Sequence, residues 1–217
     1  RVIFIPQGEF VAFGALSMAM LQAGKTPATL WLLLALAAAV LVVEAWRYKR
    51  GAPVDWNSAL LWCVGMPLAA CALVLLWRPT GLAAQAISTL VLITPLGPLL
   101  YRLAYRPMAQ ATVLSLLIVS VALHGVLVGL GLLFFGAEGS RTPAFSEARF
   151  DIGGLQVTGQ SIVVIVVTLA LVIAMFQFFG RSMVGKALRA TAMNRVGARL
   201  MGVPTELSGD VSFALAA

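Results

Sequence analysis

The chain alternates long apolar segments with short segments that carry most of its charge, and this alternation limits what it can fold into. The apolar segments run for about 14 to 25 residues, and a helix needs roughly 20 residues to cross the hydrocarbon of a bilayer. The repeated alternating segments of about ten residues that are typical of barrel strands do not occur. With 61% hydrophobic residues, 11% charged residues and a mean hydropathy of +0.98, the sequence predicts an all-α, polytopic transmembrane helical bundle.

Six complete spans and the start of a seventh follow from the apolar pattern. The first span is short, and it crosses the membrane only if residues 3–9 also lie inside, which places Glu9 at depth. The chain starts without Met and ends in an apolar segment, so we expect a single transmembrane domain over residues 1–217 that is truncated at both ends. The predicted spans are residues 10–23, 28–46, 58–77, 83–101, 111–135 and 161–179, with a seventh beginning near Ser208.

The basic residues predict which side of the membrane each loop faces. Short loops on the cytoplasmic side are enriched in Lys and Arg. If the loop after the sixth span is cytoplasmic, eleven of the fifteen basic residues lie on that side. We therefore expect loop 180–206 to be cytoplasmic and loop 136–160 to be periplasmic. The four basic residues left on the outer side are Lys25, Arg78, Arg141 and Arg149.

Two stretches predict local departures from straight helices. Residues 94–98 read Thr-Pro-Leu-Gly-Pro near the end of the fourth span, and their two prolines remove backbone donors, so the helix should kink or break there. In the predicted outer loop, polar and apolar residues alternate over residues 150–157, which indicates a short hairpin or a re-entrant turn.

An acidic side chain stands at the beginning of the first apolar segment. Glu9 follows Gln7 and Gly8, and we expect Pro6 and Gly8 to interrupt the helix there. Broken helices in membranes are tolerated where they line cavities, so Gln7, Gly8 and Glu9 are candidates for a substrate pathway. The alternative is a carboxylate at the cytoplasmic interface, near Arg1.

His124 lies near the middle of the fifth span, where a titratable group is a candidate for a pathway or a proton relay. The same span holds no carboxylate, so a relay has no evident second member, and the alternative is a neutral imidazole bonded to a backbone carbonyl. The adjoining Gly125 and Gly129 form a GxxxG motif, which predicts close packing of helices.

The basic loop after the sixth span has the features of a docking element. Leu188, Ala192, Val196 and Leu200 recur every four residues, yet Arg189 and other basic residues project within the same arc of a helix. A mixed face of this kind fits a protein groove with acidic rims better than a lipid surface. The alternative is a solvated basic loop that only enforces topology.

Composition and motifs exclude several other classes of protein. The net charge of +7 sits at the ends of spans with no interleaved aromatic residues, which is not typical of nucleic-acid binding. Cys63 and Cys71 lie eight residues apart, which matches neither a metal site nor a CxxC motif. The motifs of serine hydrolases, P-loop enzymes and zinc proteases do not occur. We therefore expect a chain that is not an enzyme and has no cofactor and no metal.

Three motifs in the second half resemble the permease subunit of branched-chain amino acid ABC transporters. Residues 102–107 read Arg-Leu-Ala-Tyr-Arg-Pro, similar to the family's E-R-L-A-Y-R-P-L-R. Phe135-Gly136 precedes a loop with Pro143, as at the end of the family's next span. Residues 185–203 resemble the family's G-x-A-x-R-A-x-A-x-N followed by A-x-L-M-G-I. Upstream, residues 7–15 are similar to a family segment that contains G-E followed by G-A.

The resemblance implies an ABC importer in the inner membrane of a bacterium. Two permease subunits form the pathway, cytoplasmic ATP-binding subunits drive it, and a periplasmic substrate-binding protein delivers a branched-chain or related amino acid. Residues 185–202 become the segment that couples to the ATPase. The expected coupling residues are Lys186, Arg189, Ala190, Asn194, Arg195, Arg199, Leu200 and Gly202.

Three alternatives remain open at this point. The first is a permease of the same architecture for another small polar solute, such as an amide or urea. The second is an ion-coupled secondary transporter or channel with Glu9 and His124 as proton sites. The third is a membrane scaffold protein.

Overall fold

The computed structural model describes residues 4–51, 56–77, 81–109, 111–140, 142–146, 148–152 and 155–217. The chain divides into two compact units. The first comprises Arg1–Ser140 with Gly209–Ala217, and the second comprises Arg141–Ser208.

Within the described residues, five helical segments are long and apolar enough to cross a membrane. They are Thr29–Lys49, Trp56–Leu76, Leu82–Met108, Val113–Phe135 and Gly159–Arg181. Each corresponds to one of the predicted spans from the second to the sixth, and the all-α polytopic bundle is confirmed. The first predicted span is helix α1, Gln7–Gln22, which has only 16 residues. The predicted start of a seventh span is helix α11, Thr205–Ala216.

Several of these spans are composed of shorter helical pieces. Thr29–Lys49 is the single helix α2, and Val113–Phe135 is the single helix α7. The span that begins at Trp56 contains α3 (Trp56–Leu60), a π-helical turn (Leu61–Gly65) and α4 (Met66–Trp77). The next span contains α5 (Leu82–Ile93), α6 (Leu96–Leu100), a π-helical turn (Tyr101–Tyr105) and a 3₁₀ turn (Arg106–Met108).

Proline accounts for these interruptions. The predicted break at residues 94–98 is confirmed, because α5 ends at Ile93 and α6 begins at Leu96. Thr94 is the C-cap of α5, and its hydroxyl donates to the Leu90 carbonyl at 2.7 Å. Each π-helical turn ends two residues before a proline, Pro67 or Pro107. The proline has no N–H for the carbonyl one turn earlier, so the local hydrogen-bond pattern changes.

The core of the first unit lies between α1, α2, the α3–α4 segment and the α5–α6 segment. Leu33, Leu92 and Leu99 are completely buried in it. Helix α11 packs closely on the α5–α6 segment because two glycines allow the approach. A Cβ added to Gly97 would overlap the backbone of Phe213, and one added to Gly209 would overlap the ring of Tyr101.

The second unit contains a hairpin, a long helix and two short helices. Strands β1 (Arg149–Ile152) and β2 (Leu155–Thr158) pair in antiparallel register, which confirms the predicted hairpin. Thr158 then caps helix α8, Gly159–Arg181, by accepting from the Ser161 N–H. None of the most apolar stretch of α8 is buried within the described chain, so its surface is available to lipid or to other proteins.

Candidate functional site

Glu9 of α1 and His124 of α7 meet inside the first unit. Glu9 Oε1 lies 2.7 Å from His124 Nδ1, although the angles at Nδ1 are not those of a hydrogen bond. The Glu9 side chain is 12% exposed and that of His124 is 45% exposed. The second carboxylate oxygen of Glu9, Oε2, is buried and has no hydrogen-bond partner among the described residues. The second member of the pair lies on a different helix from His124, so the absence of a carboxylate in the span of His124 did not predict it.

The contacts between α1 and α7 show where this pair lies along the span. A Cβ added to Gly131 would lie 3.1 Å from the Phe13 ring, and the rings of Phe13 and Phe135 are 6.0 Å apart. The two helices therefore run side by side in the same direction, with the first turn of α1 beside the middle of α7. His124 is roughly 16 Å from the start of α7, given a rise of about 1.5 Å per residue. Glu9 therefore lies near mid-depth of that span.

The predicted helix interruption at Pro6 and Gly8 is wrong. Helix α1 begins at Gln7, with Pro6 at its N-cap and Gln7, Gly8 and Glu9 in its first turn. Proline fits this place because the first residues of a helix need no intrahelical donor. Gln7 and Gly8 are exposed, and a Cβ added to Gly8 would meet nothing within 4 Å. The structure thus brings Glu9 and His124 together and leaves Gln7 and Gly8 at the open start of the helix.

The predicted packing motif on α7 is not in contact with another helix of the described chain. A Cβ added to Gly125 or Gly129 would meet no atom within 4 Å. It is Gly131 that allows the close approach of Phe13. A role of Gly125 and Gly129 in helix packing therefore remains a prediction for contacts with another chain.

A second cluster of charged side chains, which the sequence analysis did not find, surrounds the π-helical turn Tyr101–Tyr105. The Arg102 guanidinium donates to both carboxylate oxygens of Asp210, from Nε at 3.0 Å and from Nη2 at 2.5 Å. Nη2 also donates to the Ser58 hydroxyl at 2.6 Å. Both side chains of the ion pair are only 3% exposed. A two-point contact of this kind fixes the orientation of both groups as well as their distance.

One helical turn further along, Arg106 contacts the buried Glu44 of α2. Arg106 Nη1 lies 2.5 Å from Glu44 Oε1, and Arg47 Nη1 lies 3.4 Å from Glu44 Oε2. Glu44 lies inside the second predicted span and Asp210 at the predicted start of the seventh, and a carboxylate in such a segment is itself a signal of a buried partner. The positive-inside count placed Arg102 and Arg106 with the basic residues of the cytoplasmic side, and it did not indicate their buried partners.

The basic loop of the second unit forms two short helices, each with its own cap. Ser182 is the N-cap of helix α9 (Met183–Met193), and its hydroxyl accepts from the Gly185 N–H at 2.9 Å. Asn194 is the N-cap of helix α10 (Arg195–Leu200), and its side-chain oxygen accepts from the Gly197 N–H at 2.9 Å. Gly202 then adopts a φ of 80°, which ends the segment, since few residues other than glycine adopt this conformation readily.

The break at Asn194 separates the apolar row that the spacing predicted. Leu188 is buried in the unit, whereas Ala192, Val196 and Leu200 are exposed. One continuous face is therefore not formed, because Asn194 has an extended backbone. The exposed surface combines large apolar side chains with basic ones, and we call it the α9–α10 surface. It comprises Lys186, Arg189, Ala190, Met193, Asn194, Arg195, Val196, Arg199, Leu200 and Met201.

The fold and its buried charge pairs define a multi-pass α-helical membrane protein. The model of one family matches residues 58–217, and its description is branched-chain amino acid transport system, permease component. The chain belongs to this family of transport permeases. The match begins at residue 58, well before the motif at residues 102–107, and it includes Arg102, Asp210 and the α9–α10 surface; Glu9 lies outside it. Searches of the curated proteins and of the solved structures found no match.

Proposed function

We propose that this chain is the membrane subunit of an ABC importer for branched-chain or related amino acids. ATP is hydrolysed in separate cytoplasmic subunits, and the chain itself carries out no catalysis. The observation that carries the proposal is the α9–α10 surface, which is exposed, basic and apolar together, and lies inside the part matched by a transport-permease family.

The α9–α10 surface has the chemistry of a docking site for a protein with an acidic-rimmed groove. Met193 and Leu200 are 88% and 82% exposed, so they offer apolar contact area to a partner beside the basic side chains. Arg189, Arg195 and Arg199 are exposed beside them, so a partner's carboxylates are able to pair with them at the rim. The two caps hold the backbone of this surface in one conformation, which lowers the entropy cost of docking.

Charge reversal on the α9–α10 surface tests the docking assignment. The Arg189→Glu, Arg195→Glu double variant is expected to lose its association with the ATP-binding subunit in copurification, while insertion into the membrane is unchanged. A matched control is the Lys25→Glu, Arg149→Glu double variant, which changes two exposed basic residues elsewhere. Full retention of the ATP-binding subunit by the first variant would show that the assignment is wrong.

The remaining parts of the transporter follow from the same proposal. Loop 180–206 faces the cytoplasm of a bacterium, loop 136–160 faces the periplasm, and a substrate-binding protein delivers the amino acid there. A second permease subunit, identical or related, completes the pathway. Glu9 and His124 lie along this pathway near mid-depth, with Gln7 and Gly8 at the open start of α1 beside them.

A second candidate function is an ion-coupled secondary transporter, and the Glu9–His124 contact favours it. Two titratable groups 2.7 Å apart inside a membrane protein are suited to carrying a proton. Uptake by reconstituted complexes distinguishes the two candidates. An ABC importer takes up substrate only when ATP is supplied on the side of the ATPase, whereas a coupled carrier runs on an ion gradient alone. A permease for amides or urea would show the same ATP dependence with a different substrate.

A further inference from the structure

Glu9 differs from the other carboxylates buried in the first unit. Glu44 lies beside two arginines and Asp210 accepts two hydrogen bonds from one, so a positive charge stands against each. Glu9 contacts only an imidazole among the described residues, and its Oε2 atom is buried without a partner. Burying a carboxylate is costly unless a positive charge or a hydrogen-bond donor faces it. Apart from the His124 imidazole, the described residues place no donor and no positive charge against this carboxylate.

The same groups are a poor site for a metal ion. No group of three or more His, Cys, Asp or Glu side chains that would hold a metal occurs among the residues that the structure describes. Hard cations such as Na⁺, Mg²⁺ and Ca²⁺ need several oxygen ligands, and one carboxylate with one imidazole supplies too few. An ammonium group needs less, because one carboxylate balances its charge and accepts hydrogen bonds from its N–H donors.

We propose that Glu9 and His124 bind the α-ammonium group of the transported amino acid. The Glu9 carboxylate accepts an N–H of the ammonium group, and the imidazole of His124 lines the same site, 2.7 Å from Oε1. The ammonium group reaches the pair from the side of His124, because 45% of the His124 side chain is accessible in this chain. This inference rests on the proposed function, and it adds that the pathway selects its substrate by charge at this point.

The chain offers a direct spectroscopic test because His124 is its one histidine. The chain is labelled with ¹⁵N-histidine and assembled with unlabelled partner subunits in lipid nanodiscs, and the imidazole resonances are followed at constant pH. Three probes of similar shape are added in turn. Leucine carries both charged groups, 3-methylbutylamine carries only the ammonium group, and 4-methylpentanoate carries only the carboxylate.

The proposal expects the His124 resonances to shift with leucine and with 3-methylbutylamine, and to stay in place with 4-methylpentanoate. Glu9→Gln should weaken the response to both ammonium compounds about tenfold or more, which is the usual loss for a hydrogen bond to a charged group. Glu9→Asp should retain part of the response. The same Glu9→Gln variant should lower ATP-driven leucine uptake more than it lowers the amount of protein in the membrane.

Two results would overturn the ammonium site. One is an absence of any shift with both ammonium compounds in a complex that does import leucine. The other is an equal shift with 4-methylpentanoate. The selectivity of the wild-type chain decides the matter even if Glu9→Gln does not fold. Failure of the proposed function is distinguished by a different measurement. In that case the wild-type complex shows no ATP-driven leucine uptake, regardless of any shift of the His124 resonances.

Discussion

Arg102 and Asp210 form a buried two-point ion pair across 108 residues of sequence, with Nε and Nη2 of the arginine donating to the two carboxylate oxygens. The pair joins the π-helical turn Tyr101–Tyr105 to helix α11, and α11 is the helix that follows the α9–α10 surface in the chain. The ion pair and the glycines at positions 97 and 209 together fix α11 against the first unit.

Removing one member of this pair should destabilise the bundle strongly. Asp210→Asn leaves Arg102 buried without a counter-charge, and breaking a buried pair in this way costs about 3 to 5 kcal/mol. Arg102→Met combined with Asp210→Leu should cost less than either single change, because no unpaired charge remains. The measurement is the midpoint of thermal unfolding in detergent. Asp151→Asn, on an exposed strand, is the control and should leave the midpoint unchanged. A double variant less stable than Asp210→Asn would contradict the pairing argument.

The close approach of α11 gives a second prediction about glycine. Gly97→Ala places a methyl group against the backbone of Phe213, which is unable to move as a side chain would. Overpacking of this kind costs about 1 to 3 kcal/mol or more. Gly125→Ala is the matched control, since nothing lies within 4 Å of that position and alanine is the better helix former. We expect a lower unfolding midpoint for Gly97→Ala and an equal or higher one for Gly125→Ala. Equal midpoints for both variants would mean that α11 does not pack as described.

The hydropathy of the sequence was sufficient to predict the spans, because a span is one continuous segment, and its length and apolar composition identify it without knowledge of its neighbours. The helix break and the hairpin were also predictable, because each depends on neighbouring residues. Helix α5 ends just before Pro95, and the alternation up to Val157 forms the hairpin. The pairs Glu9–His124 and Arg102–Asp210 were not predictable in the same way. Their members lie far apart in the sequence, so the pairing depends on which helices pack together and in which register. The continuous apolar face predicted from Leu188 to Leu200 is not formed, because α9 ends before Asn194 and Asn194 caps a new helix, α10.

Asn194 supports a prediction about the α9–α10 surface that does not involve the stability of the bundle. Its side chain holds the first turn of α10 by accepting from the Gly197 N–H, and losing such a cap costs about 0.5 to 2 kcal/mol. Asn194→Ala should therefore fray α10 and weaken copurification of the ATP-binding subunit, with no change in the unfolding midpoint of the bundle. Asn194→Ser keeps a capping oxygen and should restore the association. If Asn194→Ser is as defective as Asn194→Ala, the amide itself contacts the partner and the cap is not the reason.

The predicted sidedness can be tested with single cysteines, because Cys63 and Cys71 are buried and should not react with an impermeant reagent. Met193→Cys introduces a thiol at a position that is 88% exposed on the α9–α10 surface, and Glu138→Cys introduces one in the loop before the hairpin. In intact cells or spheroplasts, a membrane-impermeant maleimide should label Cys at position 138 and leave position 193 unlabelled. Labelling at position 193 should appear only after the membrane is opened. The chain without either substitution measures any reaction of the native cysteines. The reverse pattern, with position 193 reactive from outside, would place the α9–α10 surface away from ATP and remove the basis of the ABC importer assignment.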